Sequence, residues 1–359
     1  MNELEISIIN PYTGKETLPD VENKTKFCPK AYSTQNIYII DRNGKLFFHY
    51  TPCSCFINNK YFDKFASESF SEIINTTKFN SFKKNVLNNN YTECKENECS
   101  LYKTYLRGNT QCFYDWESFI NETGYYGKKV YYKNYNEVPG PYTISLHISP
   151  VCNLQCKTCR DVSQKEYDLS DKYEDIINGL KQVNEVNIGC DGETFMSKVY
   201  RYILSVDLTE NSSLEKINVF TNGTLMNETA LSNIHPNNYK LIKQFRISVD
   251  ATTENTYNNL RINGNWNTLL KNIKFLKENY ATKYDIKLCT VYTISRFNLC
   301  DVYNFYDFAK RLGFDEVTYS FAMKQFYGDR VDFILTEEEK KDLNDYLIRM
   351  AKKNDVYYI

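Results

Sequence analysis

Beyond residue 142 the chain alternates short β-branched runs with longer stretches in which apolar residues recur every three to four positions, the pattern of repeated βα units. The run TISLHI (143–148) precedes a helical stretch near 171–183, VNIG (186–189) one near 197–206, and KINVFTNG (216–223) one near 225–234. FRISVD (245–250) leads to a stretch near 265–279, IKLCTVYTI (286–294) to one near 298–312, and EVTYSF (316–321) to one near 336–352. Six units in succession predict an α/β fold, a partial and open (β/α)6 barrel of the TIM type, because eight are needed for closure. In such barrels the chemistry gathers at the carboxyl ends of the strands, so the residues that follow each run are the first to inspect.

Ahead of this region the texture differs. EVPGPY breaks the pattern at Pro139, Gly140 and Pro141, and we place a domain boundary there, with residues 1–138 on one side and 139–359 on the other. The stretch IYIIDRNGKLFFHYT reads as a hairpin in which Asn43 and Gly44 supply the positive φ angles of a tight turn. Two helices are expected near 63–76 and 78–88, so the front part is a small α+β module.

Composition narrows the function classes. A formal charge of −1 offers no basic stripe to follow a phosphate backbone, which argues against nucleic acid as the principal partner. The opening MNELEISIINPYTG carries acids and asparagines where a secretory signal has a basic end and an apolar run. No apolar run has the length of a membrane helix, and the expected location is the cytoplasm. In a reducing compartment twelve cysteines point to metal binding or redox chemistry before structural disulfides.

Three of those cysteines, Cys152, Cys156 and Cys159, stand in SPVCNLQCKTC, directly after the 143–148 run and therefore at the expected mouth of the barrel. Three thiolates can hold three irons of a cubane cluster and leave the fourth iron open. A zinc loop is the alternative, but zinc usually takes four protein ligands in two separated pairs, and no second pair lies nearby. CNLQCKTC after a strand resembles the signature loop of the radical S-adenosylmethionine (SAM) superfamily. The resemblance extends over about half the chain, to residue 321. GCDGET (189–194) is similar to the family's Gly-Gly-Glu segment, with Asp191 in place of the first glycine. TNGTL (221–225) resembles the segment after the third strand, and SVDATTENTYNNLRINGNW (248–266) that after the fourth.

The resemblance implies a [4Fe-4S] cluster on Cys152, Cys156 and Cys159, with SAM chelating the open iron. Gly192 and Glu193 would line the methionyl amine of SAM, Ser248 and Asp250 its ribose or methionyl part, and Arg261 its carboxylate. Asn222 would contribute to the same pocket or serve only as a turn residue beside Gly223. The implied activity is reductive cleavage of SAM to a 5'-deoxyadenosyl radical that takes a hydrogen atom from substrate, with a flavodoxin- or ferredoxin-type electron donor. FCPKAYSTQNIYIIDRNGKLFFHYTPCSC with ECKENECS is similar to the twitch module, related to SPASM domains, that carries an auxiliary iron–sulfur cluster. Its ligands would be Cys28, Cys53, Cys94 and Cys99, with Cys55 an alternative to Cys53 and structural zinc an alternative to the cluster.

Twitch and SPASM members often act on ribosomal peptides, so the expected reaction is epimerisation or cross-linking of a precursor peptide. Cys190 would then return a hydrogen atom, or else it is a small buried residue at a strand end. Radical dehydrogenation of a small alcohol or sugar is the competing enzymatic reading. An iron–sulfur or zinc protein that senses or stabilises is the non-enzymatic one.

Overall fold

Asn43 and Gly44 have φ angles of 56° and 83°, the left-handed pair that a two-residue hairpin turn demands, and they join β1 (Thr34–Arg42) to β2 (Lys45–Thr51). Asp41 Oδ1 accepts from Gly44 N at 2.8 Å and closes the turn. The structure is a computed structural model, and it describes residues 34–51, 66–75, 80–88, 142–159 and 166–322, with Cys28, 90–92, Ser118 and parts of 332–358.

The remaining strands are β3 (Ala66–Ser67), β4 (Thr143–His147), β5 (Gln155–Cys156), β6 (Glu185–Ile188), β7 (Lys216–Thr221), β8 (Ile242–Ser248), β9 (Arg261–Ile262), β10 (Lys287–Ile294), β11 (Glu316–Phe321) and β12 (Tyr357–Tyr358). Among the described residues ten of them form one sheet in the order β12-β11-β10-β8-β7-β6-β4-β1-β2-β3. The six strands expected from the βα pattern are its centre. They run parallel and in sequence, with Ser145 opposite Asn187, Asn187 opposite Asn218, and Asn218 opposite Gln244. The hairpin strands, β3 and β12 lengthen this sheet on its two sides, which the pattern of units alone does not reveal.

Side-chain alternation decides what each face does. In β8 Phe245 and Ile247 are fully buried while Arg246 and Ser248 are only partly so; in β10 Tyr292 and Ile294 are buried where Val291 and Thr293 are not. The apolar face takes helices: Phe305, on the helix Val302–Leu312, sits 4.3 Å from the Tyr292 ring and 6.1 Å from that of Tyr319. The opposite face is polar and paired across strands. Asn187 Nδ2 donates to Ser145 Oγ at 2.9 Å and Asn218 Nδ2 to Asn187 Oδ1 at 2.7 Å. Arg246 meets Glu316 at 3.0 Å and Thr318 Oγ1 at 3.3 Å.

The helices start where a short polar side chain can accept from an early N–H. Ser197 accepts from Tyr200 N, Asn227 from Ala230 N, Thr253 from Thr256 N and Asn265 from Thr268 N. Helices Lys198–Ser205, Trp266–Leu276 and Val302–Leu312 lie within the expected stretches, and the 336–352 stretch is described only in part.

The chain divides into two compact units. One comprises residues 1–36, 50–66 and 73–142. In it Tyr50 OH donates to Gln35 Oε1, and Ile73, Ile74, Phe82 and Val86 are buried. Burial there pulls the Lys83 ammonium down to about 8. The other unit contains residues 37–49 and 67–72 along with 143–359, so part of the front hairpin packs as one body with the βα region. Within it Phe48 and Phe70 meet edge to face at 5.2 Å. No described helix is long and apolar enough to cross a membrane.

Candidate functional site

After β4 ends at His147 the chain passes through Ile148 to Val151 and reaches Cys152, half-buried at the carboxyl end of the parallel strands. Two hydrogen-bonded arms fix the three-cysteine loop to the loops that follow the other strands.

The first arm runs through Cys152. Its Sγ lies 3.4 Å from Leu154 N and 3.7 Å from Asn222 Nδ2, both donors. Asn222 also donates to Asn153 Oδ1 at 2.9 Å, and Asn153 Nδ2 donates to Thr224 Oγ1 at 2.9 Å. Asn222 Oδ1 accepts from Thr224 N at 2.9 Å, so this side chain makes its own turn before Gly223 (φ 77°) and also reaches the loop. Glu193, fully buried, accepts from Thr221 Oγ1 and Asn222 N, each at 2.7 Å, and from Phe195 N at 3.1 Å. Burial raises its carboxyl above the usual range although these three donors oppose it. Glu193 N donates to Val151 O at 2.8 Å. Gly192 beside it leaves no room for a side chain, since a Cβ there would come within 2.5 Å of Val151 O and closer still to Ser149 O. Glu193 therefore ties the loops after β4, β6 and β7 together, with its carboxylate turned inward.

The second arm runs through Cys156. In β5 and β9 it pairs with Arg261 in a short antiparallel ribbon, extended by Lys157 N donating to Leu260 O at 2.9 Å. Arg261 Nη1 lies 3.8 Å from Cys156 Sγ, and Nη2 pairs with Asp250 Oδ2. Asp250, at φ 58°, directly follows the last residues of the β8 run; its Oδ1 accepts from Thr293 N at 2.7 Å and its carbonyl from Asn298 Nδ2 at 3.0 Å. Asp301 Oδ2 accepts from Thr252 N at 2.7 Å, a second tie between the loops after β8 and β10. Burial works against the Arg261 charge, but Asp250 and Cys156 outweigh it and hold the guanidinium above its usual range.

Burial pushes the Cys152 thiol up to about 11 and also raises Cys156, with Arg261 opposing. Cys159, exposed, donates its N–H to Cys156 O at 3.0 Å. Cys190 is half-buried after β6, its Sγ 3.7 Å from Asn187 O. Asp191 lies with Oδ1 2.8 Å from the buried Tyr200 hydroxyl, which accepts from Ile148 N at 3.1 Å and lies 2.9 Å from Leu146 O. Ser248 ends β8 on the same face as Arg246, partly exposed. No family model matches the sequence, and no curated protein matches it. Among solved structures the chain is similar to Streptococcus suis SuiB bound to S-adenosylmethionine, with 14% identity and a TM-score of 0.48 over 76% of this chain and 62% of that one. Others are native anSMEcpe with bound AdoMet (15%, TM-score 0.42, covering 60% and 63% of the two chains) and methylornithine synthase, PylB (11%, 0.40, 58% and 62%). The chain thus spans about 62% of the length of the SuiB chain it matches.

Among the described residues no three His, Cys, Asp or Glu side chains gather closely enough to hold a metal ion. Cys152, Cys156 and Cys159 would be the donors of a larger thiolate-held centre. Two of the sulfurs have N–H donors directed at them, and a metal cation is what converts thiols raised by burial into thiolates. Of the front cysteines Cys28 is half-buried, and Cys53, Cys55, Cys94 and Cys99 lie outside the described residues.

Sequence reasoning passed over Asn153, Thr221, Thr224, Asn298 and Asp301, all of which wire these loops. Asn153 lies inside the three-cysteine loop itself, and its position between two cysteines was the one available signal. The others look like ordinary turn and cap residues, and only the fold shows what they reach.

Proposed function

We propose that the chain is a radical SAM enzyme whose catalytic cluster is held by Cys152, Cys156 and Cys159. The observation that carries this reading is the convergence of the loops after β6, β7 and β8 on the three-cysteine loop that follows β4, through Glu193, Asn222 and Arg261. When bound, the cluster and SAM supply one-electron cleavage and abstraction of a substrate hydrogen atom. The chain's part is positional. Gly192, with no Cβ, lets the backbone of its segment approach the cysteine loop closely, and Asn222 holds the loop from the β7 side. Ser248 is the partly exposed polar group at the end of β8 suited to the ribose or methionyl part of SAM, with Asp250 behind it oriented by Arg261 and Thr293 N.

The substrate we propose is a precursor peptide that undergoes epimerisation or cross-linking. The peptide assignment rests on the resemblance. Cys190, half-buried beside the Glu193 segment, is the proposed hydrogen-atom donor. A flavodoxin- or ferredoxin-type protein supplies the electron, and Cys28 with Cys53 or Cys55, Cys94 and Cys99 holds an auxiliary iron–sulfur cluster. The test is anaerobic reconstitution of the whole chain, reduction, and assay of 5'-deoxyadenosine released from SAM. A protein that takes up iron and sulfide, absorbs as an iron–sulfur centre and releases 5'-deoxyadenosine meets the expectation. A chain that holds zinc, or that holds iron and leaves SAM intact, refutes it.

A further inference from the structure

Arg261 has an unusual set of neighbours for a cation. It is only 9% exposed, its Nη2 is neutralised by Asp250, its Nη1 faces Cys156 Sγ at 3.8 Å, and its Nε is enclosed with no acceptor. Its backbone is the antiparallel partner of Cys156, so the cation and the sulfur are held in register by the chain itself. Both ends of the fork face groups of the chain itself.

We propose that Arg261 is a positioning residue that sets the electron affinity of the centre held at Cys156, with Asp250 as the counter-charge that limits the effect. This rests on the reading of the three-cysteine loop given above and adds to it a role for the Arg261–Asp250 pair. A positive charge and an N–H directed at a ligating sulfur stabilise the reduced, more negative state of an iron–sulfur centre and raise its potential. The two partners therefore act with opposite sign. Removing the cation lowers the potential. Removing the carboxylate leaves the cation less neutralised and raises it. A pair that served only to pack the ribbon would not split the two variants in this way. Asp250 has the further hold of Thr293 N on Oδ1, and this keeps its remaining carboxylate edge aimed at Arg261.

The experiment is an electron paramagnetic resonance titration of the reduced centre in anaerobically reconstituted full-length chain, for wild type, Arg261→Gln, Arg261→Lys and Asp250→Asn, with iron content measured in each. The expected result is reduction of Arg261→Gln at a lower potential than wild type, Arg261→Lys between the two, and Asp250→Asn at a higher potential. Equal potentials in all four, or shifts of Arg261→Gln and Asp250→Asn in the same direction, overturn the proposal while the reading of the loop stands. If Arg261→Gln does not retain iron, the Asp250→Asn comparison decides: a potential at or below that of wild type overturns it. A wild-type chain that takes up no iron overturns the loop reading and this inference together.

Discussion

Glu193 Oε2 and the backbone N–H of Asn222 lie 2.7 Å apart, and this bond joins the loop after β6 to the loop after β7 inside a fully buried site. Thr221 Oγ1 and Phe195 N donate to the other carboxylate oxygen, so the carboxylate accepts from three donors. Glu193→Gln keeps the shape but must place an NH2 against one of the two backbone N–H groups, whichever way the amide turns. The expected loss is about 1–3 kcal/mol, the cost of leaving a buried donor unsatisfied. Urea unfolding of the metal-free chain measures it, and a variant as stable as wild type would show that this bond does not hold the loops.

Gly192→Ala tests the closeness of the same segment to the three-cysteine loop. Its Cβ would press on Val151 O at 2.5 Å and on Ser149 O, both backbone atoms that cannot swing aside. The segment has to move, at a cost of about 1–3 kcal/mol for overpacking. The backbone bond from Glu193 N to Val151 O should open with it, read as faster hydrogen exchange at the Glu193 amide.

The six central strands and most of their helices were legible in the sequence because alternation and helical periodicity are local. β8 shows this plainly: Phe245 and Ile247 against Arg246 and Ser248 is a two-residue repeat that burial then obeys. The cysteine loop was legible for a similar reason, since its three thiols lie within one short segment. What held the loop was not legible. Asn153 and Asn222 are 69 residues apart, and Cys156 and Arg261 are 105 apart. Nothing in local composition distinguishes an asparagine that only turns the chain from one that also reaches across to a sulfur. The strand β9 is two residues long and follows a helix directly, too short for any periodicity to announce it.

Asn222→Ala removes both functions of that side chain at once. The turn loses the bond from Thr224 N at 2.9 Å, and the cysteine loop loses its contacts to Asn153 and Cys152. Stability is expected to fall by about 1 kcal/mol for the exchanged hydrogen bonds. The reconstituted variant should also give up iron to a chelator faster than wild type. Asn222→Asp separates the two effects, because it keeps an acceptor for Thr224 N and cannot donate to Asn153 or the sulfur. Iron released from Asn222→Asp at the wild-type rate would confine Asn222 to the turn.

Asp207 carries a pH dependence far from the site. Its carboxylate accepts from Thr209 Oγ1 at 2.6 Å, Thr209 N at 2.8 Å and Asn237 Nδ2 at 2.7 Å, with His235 Nδ1 at 3.9 Å. The hydrogen bond from the Thr209 side chain leads the causes that lower it from 3.8 to about 2. A carboxyl held down in the folded chain stabilises it above its unfolded value, and that contribution disappears as the pH falls through the folded one. The stability difference between wild type and Asp207→Asn should therefore be at its full size above about pH 4 and shrink toward pH 2, followed by urea unfolding across that range. A difference constant with pH would mean that the carboxylate titrates alike in both states.

Asp175 reaches back over a hundred residues to begin a helix. The helix Phe70–Ile74 starts with Phe70 N donating to Asp175 Oδ2 at 2.5 Å and Ser71 N to Oδ1 at 3.2 Å, while Ser69 Oγ lies 3.2 Å from the same carboxylate. Ser69 Oγ faces Glu72 N at 3.1 Å, while the carboxylate comes from the helix Tyr173–Leu180. Helix amides left without an acceptor by Asp175→Ala should cost about 1–2 kcal/mol, as for loss of an N-cap. Asp175→Asn keeps an oxygen for one of the two amides and loses the charge, so it should fall between wild type and alanine. Hydrogen exchange at Phe70 and Ser71 locates the effect: both amides should exchange faster in Asp175→Ala, while those of Ile247 and Val291 in the central sheet keep their wild-type protection.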